Sequence, residues 1–121
     1  MQDGRNYYGV FAGLGGFLGV LLGALAAHKA ADAHAAELLR QASFYAIAHS
    51  LALLIICRNP GKAVCLACFL FTLGMLLFCG GLVVKALLGT SPISWLIPFG
   101  GGCLMAGWLA VAVSHVGKKA P

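Results

Sequence analysis

Apolar and polar positions alternate along this chain in long blocks, with no short amphipathic period. Four apolar runs are separated by short segments, and these segments together with the two chain ends hold nearly all the charged residues. At a rise of about 1.5 Å per residue, such runs match the roughly 30 Å hydrocarbon core of a bilayer. The pattern predicts an all-α fold: one domain, residues 1–121, built as an integral membrane bundle of four transmembrane helices. The expected spans are about 7–27, 40–57, 63–84 and 93–114.

The polar segment between the first two runs, residues 28–41, mixes charged residues and histidines with alanine. It contains no Gly or Pro, so we expect a short interfacial helix there, either separate or continuous with the second span. Asp32 suits an N-cap. Glu37 is spaced to pair with Arg40 or Gln41.

Two helix-breaking features lie inside the fourth run. Pro98 is followed by three consecutive glycines, and proline removes a backbone donor. We expect either a kink in the span or a helix that begins near Pro98.

Composition agrees with a membrane protein, because 61% of the residues are hydrophobic and only 9% are charged. About a quarter of the residues in soluble domains are charged. The net charge of +5 does not indicate nucleic acid, since the basic residues stand at the ends of apolar runs and form no stripe. The first run is longer than the apolar core of a signal peptide, so we expect it to stay in the membrane.

The basic residues also predict orientation. With four spans, one side of the membrane holds five of them and the other side three, namely Lys29, Arg40 and Lys85. The side richer in Lys and Arg is usually cytoplasmic. We therefore expect a bacterial cytoplasmic (inner) membrane with both termini in the cytoplasm, a mitochondrial membrane being the alternative.

Glycines in the spans are spaced for helix packing. In lipid, such small-residue stripes allow close approach of another helix, within the chain or in a second copy. The glycines expected to pack are Gly9, Gly13, Gly16, Gly19, Gly23, Gly74, Gly100 and Gly101.

The candidate site is centred on His49, which lies nine residues before Arg58 and so about 13 Å into the bilayer. Polar groups at that depth are costly and usually face the bundle interior. Tyr45 is one turn away, and His28 ends the first span. These three residues form a hypothetical ligand-binding pocket. The alternative is structural: a neutral imidazole that holds neighbouring helices through a hydrogen bond.

Other groupings are less suited to chemistry. The acids and histidines of residues 28–37 have no zinc-site spacing, so we expect a solvated helix and no metal. Cys65 and Cys68 form Cys-x-x-Cys, which would suit a thiol-quinone enzyme, but Cys79 and Cys103 are single and offer no second pair. Small packing residues are the simpler interpretation.

Several segments resemble the small four-helix membrane proteins grouped as the domain of unknown function 423 family, whose relatives include the eukaryotic transmembrane protein 256 group. They are residues 23–28 (GALAAH), Tyr45 with residues 49–54 (HSLALL), and residues 74–82 (GMLLFCGGL). The matching positions near the C-terminus are Pro98, Gly100, Gly101, Gly107 and Trp108. The resemblance implies a four-helix fold and a membrane location, and it implies no activity.

For function we expect a non-catalytic protein without a cofactor. It would bind membrane lipids, a small hydrophobic ligand, a partner membrane protein or a second copy of itself. The alternative is a small solute transporter or proton-linked channel with His49 as the titrating group.

Overall fold

The computed structural model describes residues 2–89 and 93–117, with side chains from residue 6 onward. The described residues form four helices: α1 (Gln2–His28), α2 (Ala33–Ile56), α3 (Lys62–Leu88) and α4 (Leu96–Ser114). All four are long and apolar enough to cross a membrane, α1 over Asn6–His28. The predicted all-helical fold with four spanning helices is confirmed.

The expected separate interfacial helix is not shown. α1 ends at His28, and α2 begins at Ala33 and continues to Ile56. Residues 33–41 are thus the first turns of α2, because no Gly or Pro interrupts the helix before Ile56. The second helix begins seven residues before the predicted residue 40.

The predicted cap of α2 is confirmed. Asp32 is extended (φ −156°, ψ −179°), and its Oδ1 accepts a hydrogen bond from the Ala35 N–H at 2.7 Å. The expected Glu37 and Arg40 pair also forms, at 2.9 Å. Both contacts stabilise the polar first turns without tertiary partners.

Two glycines with positive φ bound α3. Gly61 (φ 123°) precedes the helix, and Gly89 (φ 78°) ends it by donating its N–H to the Lys85 carbonyl at 2.9 Å. Residues with a Cβ rarely adopt these backbone angles. α3 ends at Leu88, just before Gly89, and so continues one turn beyond the predicted end at residue 84.

Of the two expectations for Pro98, the structure supports the helix start. α4 begins at Leu96, which places Pro98 in the first turn. The N–H groups of a first turn have no intrahelical partner, so the donor that proline lacks is not missed.

The helices pack in chain order. α1 packs on α2, α2 on α3 and α3 on α4, while α1 has only a small contact with α3. Among the described residues, no Cα of α2 lies within 8 Å of a Cα of α4. α2 and α3 are the central helices, and α3 carries the fully buried Phe71.

Candidate functional site

His49 is turned toward the other helices, as expected. Its side chain is buried, with 5% of its surface exposed. The ring packs edge-on against Phe71 of α3, with centroids 5.3 Å apart, and against Trp108 of α4 at 5.8 Å. Phe71 and Trp108 also contact each other at 5.0 Å. The three rings connect α2, α3 and α4.

Both ring nitrogens of His49 are engaged. Nδ1 lies 2.8 Å from the Tyr45 carbonyl oxygen, and the Trp108 indole N–H donates to Nε2 at 3.0 Å. A carbonyl only accepts and an indole N–H only donates. The imidazole therefore fits as the neutral tautomer with its proton on Nδ1. In this arrangement no ring nitrogen is left to bind a ligand or metal.

Tyr45 and His49 are brought together, as one helical turn requires. Their rings stack at 5.8 Å with planes 12° apart, and Tyr45 also packs on Phe78 of α3 at 4.8 Å. Tyr45 remains 37% exposed. The Tyr45, His49, Phe71, Phe78 and Trp108 side chains form what we call the aromatic cluster.

His28 does not join this cluster. It is exposed at the end of α1. At the level of His49, α1 instead packs on α2 through Gly15, which lies against Ser50. Thirteen residues separate Gly15 from His28, about 20 Å along a helix. The structure thus brings together two of the three residues of the predicted ligand pocket.

The structure also places the polar segment and the thiols of the predicted Cys-x-x-Cys grouping. In residues 2–89 and 93–117, no three His, Cys, Asp or Glu side chains are grouped as a metal ion would require. Cys57 and Cys68 are buried in the apolar core with Leu53 and Phe71. All five cysteines are free thiols.

The α1 glycines that were predicted to pack fall into two sets, those close to α2 and those beside open space. A Cβ at Gly19 would lie 2.6 Å from Ile47 Cγ1, and one at Gly23 would lie 3.1 Å from Ser43 Oγ. The Ser43 hydroxyl donates to the Gly19 carbonyl at 2.6 Å, so α1 and α2 are joined at this close approach. Open space adjoins the other predicted positions, Gly9, Gly13 and Gly16.

Glycines also set the separation of α3 and α4. A Cβ at Gly100 would lie 2.5 Å from the Phe78 backbone nitrogen, and one at Gly74 would lie 2.7 Å from Leu104. Gly101 has ordinary contact with the Phe78 ring at 3.6 Å. Gly81 and Gly107, which sequence reasoning did not select, are as close to Ile97 and Phe71.

An apolar groove of about 530 Å³ lies between α1 and α3, with α2 behind it. Several of its wall residues, including Leu14, Leu18 and Leu76, are more than half exposed, so the groove opens on the protein surface. None of the three predicted ligand residues lines it. The lining consists of Phe11, Leu14, Gly15, Leu18, Leu22, Ala46, Met75, Leu76, Cys79, Gly80, Val83 and Val84.

Sequence reasoning missed the groove and Trp108. The groove exists because α1 packs on α2 and barely reaches α3, a matter of tertiary arrangement. Trp108 did carry a signal: an indole N–H deep in a membrane span needs an acceptor, and His49 offers one.

Four spanning helices with apolar outer surfaces define this molecule as a four-span helical integral membrane protein. The family model described as "Protein of unknown function (DUF423)" matches residues 22–101, about two thirds of the chain. A "UPF0382 membrane protein" from Haemophilus influenzae is 30% identical over 121 residues, covering 95% of this chain and 98% of the relative. The chain belongs to the DUF423 family, as the sequence resemblance indicated. No solved structure matches it.

Proposed function

We propose that the protein is a non-catalytic membrane protein that binds a lipid acyl chain, or a ligand of similar chemistry, in the groove between α1 and α3. The observation that carries the proposal is the groove itself. Its volume of about 530 Å³ falls within the range of roughly 300–1,000 Å³ that is usual for ligand pockets. Its walls are almost entirely apolar side chains and glycine.

The length of the groove supports an acyl chain as the occupant. Its lining runs from Phe11 to Leu22 on α1, about 16 Å, and from Met75 to Val84 on α3, about 14 Å. Either length is about half of the roughly 30 Å hydrocarbon core, which is the depth of one leaflet. Because the walls open outward among lipid-exposed residues, a chain would enter sideways from the bilayer.

In this proposal the aromatic cluster has a structural role. His49 links α2 to α4 through Trp108, and its neighbour Ser50 contacts both Gly15 and Met75 in the groove wall. We propose that the cluster holds α2 and α3 in the positions that form the back of the groove. Ligand binding by His28, Tyr45 and His49 themselves stays a prediction.

The test is cross-linking with a phospholipid that carries a photoreactive group on its acyl chain. The protein is reconstituted in nanodiscs, irradiated and mapped by peptide mass spectrometry. Labelling is expected to concentrate on Leu18 and Leu76 and to exceed that of Leu109, a residue of α4 that is 69% exposed but outside the groove. Equal labelling of all three would contradict the proposal, and labelling centred on Tyr45 would favour the cluster as the binding site.

A matched pair of variants sharpens this test. Gly80 lines the groove and Gly13 does not, and a Cβ at either position would meet nothing within 4 Å. Gly80→Leu should fill the groove without moving a helix and lower labelling there severalfold. Gly13→Leu should leave the labelling unchanged.

The alternative function is that of a small solute transporter or a proton-linked channel, with His49 as the titrating group. It requires His49 to gain and lose a proton, whereas Nε2 already accepts from Trp108. Proteoliposome flux that depends on pH and disappears in His49→Gln would support it.

For location we propose a bacterial cytoplasmic membrane with both termini in the cytoplasm, supported by the count of five basic residues against three. The relative from Haemophilus influenzae supports a bacterial setting. Cysteine-accessibility mapping at exposed Cys65 tests the orientation, since this residue would lie near the cytoplasmic surface.

A further inference from the structure

We propose that the ligand of the groove is an anionic phospholipid, with one acyl chain in the groove and its headgroup phosphate at Lys29. This inference rests on the proposed function, because it presumes that the groove holds an acyl chain. It adds the class of lipid and the residue that selects it.

Helix register places Lys29 in line with the groove. Leu18 and Leu22 line the groove one turn apart on α1, and Lys29 follows Leu22 by seven residues, two turns further on the same face. The Lys29 N–H still donates to the Leu25 carbonyl at 2.8 Å, so the helical register extends to this residue. Lys29 therefore lies about 10 Å beyond Leu22, at the end of the span.

The groove extends toward the same membrane surface. Met75 is at the middle of α3, and the α3 lining runs from there to Val84, toward the helix end. α1 and α3 end on the same side, because consecutive spans alternate in direction. A lipid of that leaflet would lie with its chain along Leu22 and Val84 and its glycerophosphate at the level of Lys29.

The Lys29 charge is available to a ligand. In the part of the chain whose side chains are described, no carboxylate oxygen lies within 4.0 Å of its ammonium. Asp32, the acid nearest to it in sequence, accepts from the Ala35 N–H, and Glu37 pairs with Arg40. An exposed ammonium at a membrane surface attracts anionic headgroups.

The other lysine on this side, Lys85, occupies a different face. It follows Gly81 by four residues, and Gly81 is the position of α3 that contacts Ile97 of α4. Lys85 thus belongs to the α4 side of α3, away from the groove. It has the same charge, lies half-buried in the last turn of α3, and serves as the control.

The experiment uses the full chain in nanodiscs of equimolar phosphatidylglycerol and phosphatidylcholine with identical acyl chains. The protein is extracted in mild detergent, and the lipids that remain bound are counted by native mass spectrometry. Phosphatidylcholine is the right competitor because its choline neutralises its phosphate. We expect phosphatidylglycerol to be enriched by about fivefold in the wild type, the effect of one surface lysine.

Lys29→Gln should bring the ratio of the two lipids to about one while the number of bound lipids stays the same. Lys29→Arg and Lys85→Gln should both keep the enrichment. The proposal is overturned if Lys29→Gln keeps the enrichment, or if Lys85→Gln loses it equally.

Gly80→Leu separates this inference from the proposed function. It should lower the number of retained lipids of both kinds, whereas Lys29→Gln changes only their ratio. If Gly80→Leu leaves lipid retention intact, the groove is not the lipid site and both proposals fail. If it instead changes the oligomeric state without altering lipid, the occupant is a second copy of the chain, and this inference is overturned.

Discussion

The indole nitrogen of Trp108 and Nε2 of His49 lie 3.0 Å apart although 59 residues separate them in the chain. Their helices, α4 and α2, have no Cα atoms within 8 Å of each other among the described residues. Two long side chains therefore meet beside Phe71 of α3 and connect helices whose backbones do not touch.

Trp108→Phe should destabilise the protein by about 1–2 kcal/mol, because it leaves the buried Nε2 of His49 without a donor. The measurement is the free energy of unfolding from SDS titration followed by circular dichroism. Trp95→Phe is the matched control, since Trp95 is 65% exposed. In a His49→Leu background the same Trp108 change should cost less, and equal costs in both backgrounds would show that the hydrogen bond contributes nothing.

The proton of His49 should reside on Nδ1. The reason is that Nε2 accepts from the indole while Nδ1 faces the Tyr45 carbonyl. ¹⁵N NMR of histidine-labelled protein distinguishes the two tautomers, and exposed His28 and His34 provide internal references. Trp108→Phe should shift the His49 signals. A resonance with the proton on Nε2 would refute the assigned hydrogen bond.

Gly100→Ala should cost about 1–3 kcal/mol of stability, because its Cβ would lie 2.5 Å from the Phe78 backbone nitrogen and would push α3 and α4 apart. Gly102→Ala makes the same change two residues away, where a Cβ would meet nothing within 4 Å. It should be neutral. The two variants are compared by the same unfolding titration, and similar stabilities would argue against the close approach of α3 and α4.

Asp32→Ala should destabilise the start of α2 by about 1 kcal/mol, because it removes the acceptor for the Ala35 N–H. Asp32→Asn should retain most of the stability, since asparagine caps equally well. Amide hydrogen exchange at Ala35 and Ala36 reports the effect directly and should become faster in the alanine variant. Unchanged exchange there would mean that the cap contributes nothing.

Local features of the fold were predictable because they depend on neighbours in sequence. Apolar run length determines the number of spans, and the Asp32 cap and the Glu37 and Arg40 pair follow from spacing within one or two turns. The chemistry of Pro98 predicted either a kink or a helix start, and the structure shows the start, with α4 beginning at Leu96. The predicted interfacial segment forms the first turns of α2 instead of a separate helix. A helix-forming segment next to a span continues into that span when no Gly or Pro interrupts it.

The site was predictable in part. The depth and polarity of His49 indicate an inward orientation, since lipid cannot hydrogen-bond an imidazole, and stacking with Tyr45 follows from their spacing of four. The partner Trp108 could be recognised as a donor in need of an acceptor, but nothing in the sequence says which acceptor it meets. The separation of His28 from His49 follows from the alignment of α1 against α2 at Gly15 and Gly19.

The sequence by itself determined that this chain is a four-helix membrane protein and that His49 faces inward. Only the tertiary structure decided which glycines pack, that Trp108 meets His49, and that a groove lies between α1 and α3. The physical reason is that spans and caps are set by interactions within a few residues and with the bilayer. Helix pairing depends on small differences in packing between distant surfaces that are all apolar, and composition alone does not distinguish those surfaces.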